Sequence, residues 1–197
     1  MIVRARSTAW RAQLVPRSMP QRTDKAVRLP SEFWVRLLDD PAAVAAYWDR
    51  VYIRPGRCWP WLGPVSEDGQ AKLALTVDGE RRMIAAPVFG YQLSRGLLRL
   101  GRDGRLPVIR HTCDESACQN PAHWILGTRR ENAADYSERR CDPACPLADK
   151  RGPGARSRAI RDAILQARKT GGDEEQIERV ILAACQRGLP GVQDRLF

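Results

Sequence analysis

The stretch from Ile109 to Asn132, IRHTCDESACQNPAHWILGTRREN, decides how this chain folds, because it concentrates side chains that bind metal ions. Cys113 and Cys118 lie five residues apart in one polar loop, and His123 closes that loop. Thiolate and imidazole groups are common ligands of tetrahedral Zn²⁺ in proteins. The spacing therefore predicts three ligands of a structural zinc site.

A fourth ligand must come from elsewhere, since a structural zinc is normally four-coordinate. Cys58, at the head of the upstream segment CWPWLG, is the candidate and would join two distant segments. The polar loop is too short to pack itself, so the energy of metal binding would become folding energy. The alternative is a loop with incidental thiols and a buried histidine. Six cysteines without an export signal favour metal ligands or free thiols over disulfides.

Strand and helix patterns alternate around this loop, which predicts an α+β fold. Thr128 is the expected N-cap of a helix from Arg129 to about Arg139, with Glu131 as its capping-box partner. The segment from Ala86 to Leu98 is expected to be helical or to pass from strand to helix. The predicted strands are Lys72 to Val77, Arg82 to Ala86 after an Asp78-Gly79 turn, Leu106 to Ile109, and His123 to Leu126.

Four further segments flank this region. Residues 1–30 carry seven basic side chains against one acid and are interpreted as a flexible basic arm or a solvated tail. Residues 31–55 are predicted to form two packing helices. The apolar pattern of residues 151–190 predicts a helical hairpin. This hairpin is either a DNA-binding or dimerising module or a helical pair packed on the main domain. Residues 191–197 form a C-terminal tail.

The composition favours a polyanionic partner. The net charge is +10, and only four of the 33 basic residues are lysines. Arginine pairs with phosphate oxygens in a bidentate manner, so this surplus indicates nucleic acid, although an arginine-rich sequence can also reflect a GC-rich genome. No apolar run is long enough for a membrane span or a secretory signal, and a cytoplasmic location in a bacterial or phage-infected cell is expected.

The region from about Gly56 to Arg140 resembles the HNH, or His-Me finger, endonucleases with a ββα-metal motif. In spacing it is closest to the His-Cys box homing endonucleases. In these families Cys-Trp-x-Trp-x-Gly precedes a strand pair, a strand ends in His-x-Cys, the loop reads Cys-x-Asn-Pro-x-His, and Gly-Thr opens a helix bearing Asn. The matching segments here are Cys58 to Gly63, His111 to Cys113, Cys118 to His123, and Gly127 to Asn132.

The resemblance implies a metal-dependent DNA endonuclease domain over residues 56–150. It makes His111 the general base and Asn132 a ligand of a catalytic Mg²⁺. It also makes Cys58, Cys113, Cys118 and His123 the structural zinc set. Asp135 is either an auxiliary metal ligand or, more simply, an acid that pairs with Arg139 one helical turn later.

The sequence departs from the family where many relatives carry Ala-His-Arg at the start of the helix after the hairpin. Here the stretch reads AAPV from Ala85 to Val88. An arginine that contacts the scissile phosphate is therefore expected elsewhere, at Arg81, Arg82 or Arg110. The alternative function is a zinc-stapled DNA-binding or regulatory module without cleavage activity, and RNA stays open as a substrate.

Two features lie outside this motif. Cys141 and Cys145 could join Cys185 and a carboxylate or a partner chain in a second zinc site, or they are free or redox-paired thiols. The tail residues Gln193, Leu196 and Phe197 resemble the Gln-x-x-Leu-Phe peptide with which bacterial polymerases and repair proteins dock on the sliding clamp. Whether the protein forms a homodimer is open.

Overall fold

A computed structural model describes residues 31–77, 79–101 and 104–190, so the predicted basic arm and the tail peptide lie outside the described residues. The fold is α+β, as predicted. Among the described residues, no helix is both long and apolar enough to cross a membrane. The elements in chain order are α1 (Ser31–Asp39), α2 (Pro41–Trp48), β1 (Lys72–Val77), β2 (Glu80–Ala85), α3 (Ala86–Arg95), β3 (Val108–His111), β4 (Trp124–Gly127), α4 (Arg129–Arg139), α5 (Gly152–Lys169) and α6 (Glu174–Gln186).

One main core joins α1, α2, β1, β2 and α3. Trp34, Tyr47, Trp61 and Phe89 are each at most 1% exposed, and Tyr47 contacts both Trp61 and Phe89. Asp40 caps α2 by accepting a hydrogen bond from the Ala42 amide. The two N-terminal helices therefore belong to the same core as the hairpin that follows them.

Two short antiparallel sheets frame the site. In the first, Leu73 of β1 lies opposite Ile84 of β2, and both are buried. In the second, His111 of β3 lies opposite Trp124 of β4. The predicted strand over 106–109 is displaced by two residues, because Pro107 has no N–H for a strand ladder, and His111 becomes the last residue of β3.

The ends of α3 and α4 follow from local chemistry. Pro87 lies in the first turn of α3, where a missing N–H costs nothing, and Gly96 ends this helix with φ 86°. The predicted helix to Leu98 is therefore shorter by three residues. Thr128 and Glu131 form the predicted capping box at the start of α4. None of the residues of α4 is buried.

The second core lies between α5 and α6. Its buried residues are Ile160, Ile164, Ala167, Ile177, Ile181 and Ala184. Arg156 of α5 binds Glu115 of the cysteine loop, with its Nε atom 2.9 Å from Oε2. It also binds Asp149, with an Nη1 to Oδ2 distance of 3.1 Å. Arg54 binds Glu178 of α6 at 2.6 Å. These ion pairs pack the helical hairpin on the main domain.

The Arg156 ion pairs generate a stability prediction. The side chains of Arg156 and Glu115 are 6% and 11% exposed, and removal of one partner of a buried pair strands the other charge. Arg156→Ala should lower the free energy of unfolding by about 3–5 kcal/mol in urea denaturation. The control is Arg179→Ala, because Arg179 makes an exposed pair with Glu175 on α6. Equal losses in both variants would contradict the buried connection between hairpin and loop.

Candidate metal centre and the adjoining histidine

Four side chains from two distant segments converge at one point. The ligand atoms of Cys58, Cys113, Cys118 and His123 all lie within 4.8 Å of one another. Nδ1 of His123 is 3.6 Å from Sγ of Cys58 and 3.6 Å from Sγ of Cys118. A tetrahedral Zn²⁺ with ligand distances of about 2.3 Å to sulfur and about 2.1 Å to nitrogen places these atoms about 3.6 Å apart. The cluster can therefore hold a metal ion such as zinc.

Gln119 and Asn120 tie the two segments together. The amide of Gln119 donates to the carbonyl of Trp59, and the Asn120 side chain donates to the carbonyl of Arg57 at 2.7 Å. Asn120 also accepts from the Ala122 amide, which caps the short 3-10 helix Pro121–His123. Both side chains are buried, and the sequence reasoning did not single them out. The sequence signal for the Asn120 cap is the step from Asn120 to Pro121, because Asn before Pro favours a capped turn.

The cysteine loop is also fixed to the main core. Oε1 of Gln119 accepts a hydrogen bond of 3.1 Å from the Tyr47 hydroxyl, which lies inside that core. The indole of Trp124 packs against Tyr91 of α3, with ring centroids 6.3 Å apart. Both sides of the loop thus rest on rigid elements.

The pKa values of the three cysteine thiols are shifted in different directions. Hydrogen bonds from Cys118 and Cys58 lower the pKa of Cys113 to about 2, whereas the hydrogen bond to Cys113 is the main cause that raises the pKa of Cys58 to about 12. Burial raises the pKa of Cys118 well above its usual value. Three sulfur atoms this close can all ionise only around a cation, and this is the chemistry of a metal-thiolate site.

His111 lies at the rim of this cluster in a defined tautomer. Its Nε2 atom is 3.1 Å from the carbonyl oxygen of Cys118. A carbonyl only accepts, so Nε2 carries the proton and Nδ1 keeps a lone pair. The same carbonyl accepts a hydrogen bond of 3.1 Å from the indole of Trp124. Burial lowers the pKa of His111, so the imidazole is neutral at neutral pH.

Asn132 is exposed on α4, and its side chain makes no hydrogen bond or ion pair within the described residues. No hydrogen bond joins it to His111 in that part of the chain. The neighbours of the two residues are joined, however. The Nε and Nη2 atoms of Arg110 are 2.8 Å and 2.6 Å from Oδ2 of Asp135. This ion pair couples β3 to α4.

The other predicted site residues are placed as follows. Asp135 pairs with Arg139 at 3.1 Å, as the simpler interpretation expected, in addition to its contact with Arg110. Arg81 and Arg82 are exposed on β2. Within the described ranges, Cys141, Cys145 and Cys185 do not gather into a second metal-ligating group. Cys145 instead donates to Asp114 at 3.4 Å.

The chain is similar to Protein 2.8 of Escherichia phage T7, with 25% identity over 92 residues. The match covers 44% of this chain and 54% of the phage protein, so the chain spans about half the length of the curated relative it matches. No protein-family model matches the sequence, and no solved structure matches it.

Metal binding at the cluster can be tested with cysteine variants. Purified protein should carry about one equivalent of zinc per chain, as expected for one four-ligand site. Cys58→Ser should abolish this content and lower the melting temperature, because a structural zinc site contributes folding energy. The matched control is Cys141→Ser, since Cys141 is exposed and lies outside the cluster. Full zinc content in Cys58→Ser would show that the four side chains do not act together.

Proposed function

We propose that this protein is a metal-dependent endonuclease of the HNH, or His-Me finger, type that hydrolyses DNA phosphodiester bonds. The observation that carries the proposal is the bond from His111 Nε2 to the Cys118 carbonyl, which presents a basic Nδ1 at the end of β3. The order β3, β4, α4 and the cysteine loop between the strands support a ββα-metal core. In this proposal the cluster of Cys58, Cys113, Cys118 and His123 holds a structural zinc.

His111 is the general base in this mechanism. Its Nδ1 lone pair takes a proton from water, and the resulting hydroxide oxygen attacks phosphorus while the bond from phosphorus to the 3′ oxygen breaks. The Nε2 hydrogen bond to the Cys118 carbonyl disperses the positive charge that the imidazole acquires. The leaving 3′ oxygen takes a proton from solvent water and protonated His111 returns its proton to solvent, so the products are a 5′ phosphate and a 3′ hydroxyl.

Asn132 is the proposed protein ligand of the catalytic metal. Its exposed amide oxygen has no competing hydrogen bond among the described residues, whereas both oxygens of Asp135 are engaged by arginines. Mg²⁺ keeps several waters and binds substrate phosphates, so in this proposal waters and DNA phosphate oxygens would fill its other coordination positions. A divalent metal held by Asn132 would supply charge stabilisation for the transition state and for the leaving oxygen.

The charge distribution supports a nucleic acid substrate. Arg129 and Arg130 on α4, and Arg140 directly after its last residue, are exposed and form no ion pair within the described ranges. Together with the net charge of +10, they favour a polyanion close to the proposed centre. Phosphodiester chemistry at this site does not itself distinguish deoxyribose from ribose, so RNA is a substrate to be compared.

A second candidate is a zinc-stapled nucleic-acid-binding module without cleavage. The observation that favours it is the mutual engagement of Arg110 and Asp135, which leaves Asn132 as the proposed site's single uncommitted oxygen ligand. In that case the arginines would bind phosphates and His111 would only support the loop. The two candidates differ in a direct assay.

Cleavage of supercoiled plasmid DNA in Mg²⁺ tests the first candidate. The wild-type protein should relax or linearise the plasmid, and His111→Ala should reduce the rate by about 10²–10⁴-fold, the usual contribution of a general base. Asn132→Ala should cause a comparable loss. Ser137→Ala, an exposed change on α4, should retain the activity.

Binding and metal content separate the outcomes of that assay. Both inactive variants should keep their zinc and should still shift DNA in a gel, since neither residue belongs to the cysteine cluster. A wild-type protein that shifts the plasmid but leaves it intact across divalent metals would select the binding module. Structured RNA in parallel reactions identifies the preferred sugar.

Because Asn132 is the single proposed protein ligand of Mg²⁺, we expect the metal to bind only together with the DNA. Free protein should show little Mg²⁺ binding in calorimetry, because one amide oxygen is a weak site for a reluctantly dehydrated ion. Mg²⁺ should bind when an uncleavable duplex is present, and Asn132→Ala should remove this binding. Tight Mg²⁺ binding by the free protein would indicate a carboxylate ligand and contradict the assignment of Asn132 alone.

A further inference from the structure

Helix α4 carries the proposed metal ligand but lacks the usual means of attachment. None of its residues is buried, and its largest apolar side chain, Tyr136, is 42% exposed. A surface helix normally docks through an apolar stripe. Polar contacts must therefore hold α4 in place.

A chain of alternating charges provides these contacts. Arg110 of β3 binds Asp135 at 2.6 Å and lies 3.7 Å from Glu131, both on α4. Asp135 binds Arg139 at 3.1 Å, and Arg139 binds Asp114 of the cysteine loop at 2.9 Å. The helix is thus tied to the strand that ends in His111 and to the loop that contains the metal ligands.

Asp135 is the centre of this chain. Its side chain is 19% exposed, and each of its two oxygens is bound by a different guanidinium group. Two fixed cations beside one carboxylate disfavour the approach of a divalent cation. Arg110 thus makes two ion pairs with α4, and the pair with Asp135 is the shorter, since the Arg110 to Glu131 distance is 3.7 Å.

We infer that Asp135 is a positioning residue, not a metal ligand, and that its bond to Arg110 sets α4 against β3. This inference rests on the proposed function. Arg110 is adjacent to His111, and Asp135 lies one helical turn beyond Asn132. The pair therefore fixes the distance between the proposed base and the proposed metal ligand. A displacement of about 1 Å at a reacting centre can cost about 10²-fold in rate.

A double-mutant cycle on kcat tests this role. Asp135→Asn and Arg110→Gln should each lower kcat by about 10- to 100-fold at saturating DNA and Mg²⁺. The double variant should be no slower than the slower single variant, because both changes remove one interaction. Glu138→Gln is the matched control, an exposed acid on the same helix that should leave kcat unchanged. The inference would be overturned if the kcat losses of the two single variants multiplied in the double variant, or if Asp135→Asn left kcat unchanged.

Hydrogen exchange provides a readout that does not depend on cleavage. Both single variants should increase amide exchange in α4 while exchange in α2 and the zinc content stay at wild-type values. Unchanged protection of α4 would overturn the inference even in an active enzyme. If the wild-type protein does not cleave DNA but both single variants lose protection in α4, the ion-pair role stands and the nuclease proposal is rejected.

Discussion

The convergence of three thiols and one imidazole is the constraint on which the rest of this structure depends. Cys58 and His123 are 65 residues apart in the chain, yet their ligand atoms lie 3.6 Å apart. The loop between β3 and β4 has few apolar side chains, so a metal ion bound by this cluster would take the place of a core there. Gln119 and Asn120 then complete the attachment through backbone hydrogen bonds to the Cys58 segment.

Ion pairs perform the same task at the edges of the molecule. Glu115, inside the cysteine loop, binds Arg156 of the helical hairpin, and Asp114, beside it, binds Arg139 of α4. Two consecutive acids of one loop thus connect the metal centre to two different helices. Because a single charge is costly to leave unpaired away from water, removal of one partner of the buried Glu115 to Arg156 pair is destabilising.

The accuracy of the sequence predictions follows from how local each signal is. The capping box of Thr128 and Glu131, the first strand and the α5 and α6 hairpin depend on neighbouring residues and were placed well. The predicted strand begins at Leu106, whereas Pro107 delays the start of β3 to Val108. The roles of Gln119 and Asn120 could not be predicted in detail, because their partners lie about 60 residues away in the chain.

The sequence by itself determined the candidate metal ligands, the α+β class and the basic charge, because ligand type, periodicity and net charge are properties of residues and their spacing. Only the tertiary structure decided that Cys58 joins the other three ligands, that the Cys118 carbonyl selects the tautomer of His111, and that Arg110 and Asp135 engage each other. Each of these depends on distances between residues that are not neighbours in the chain, and the packing, hydrogen bonds and ion pairs of the folded chain set those distances.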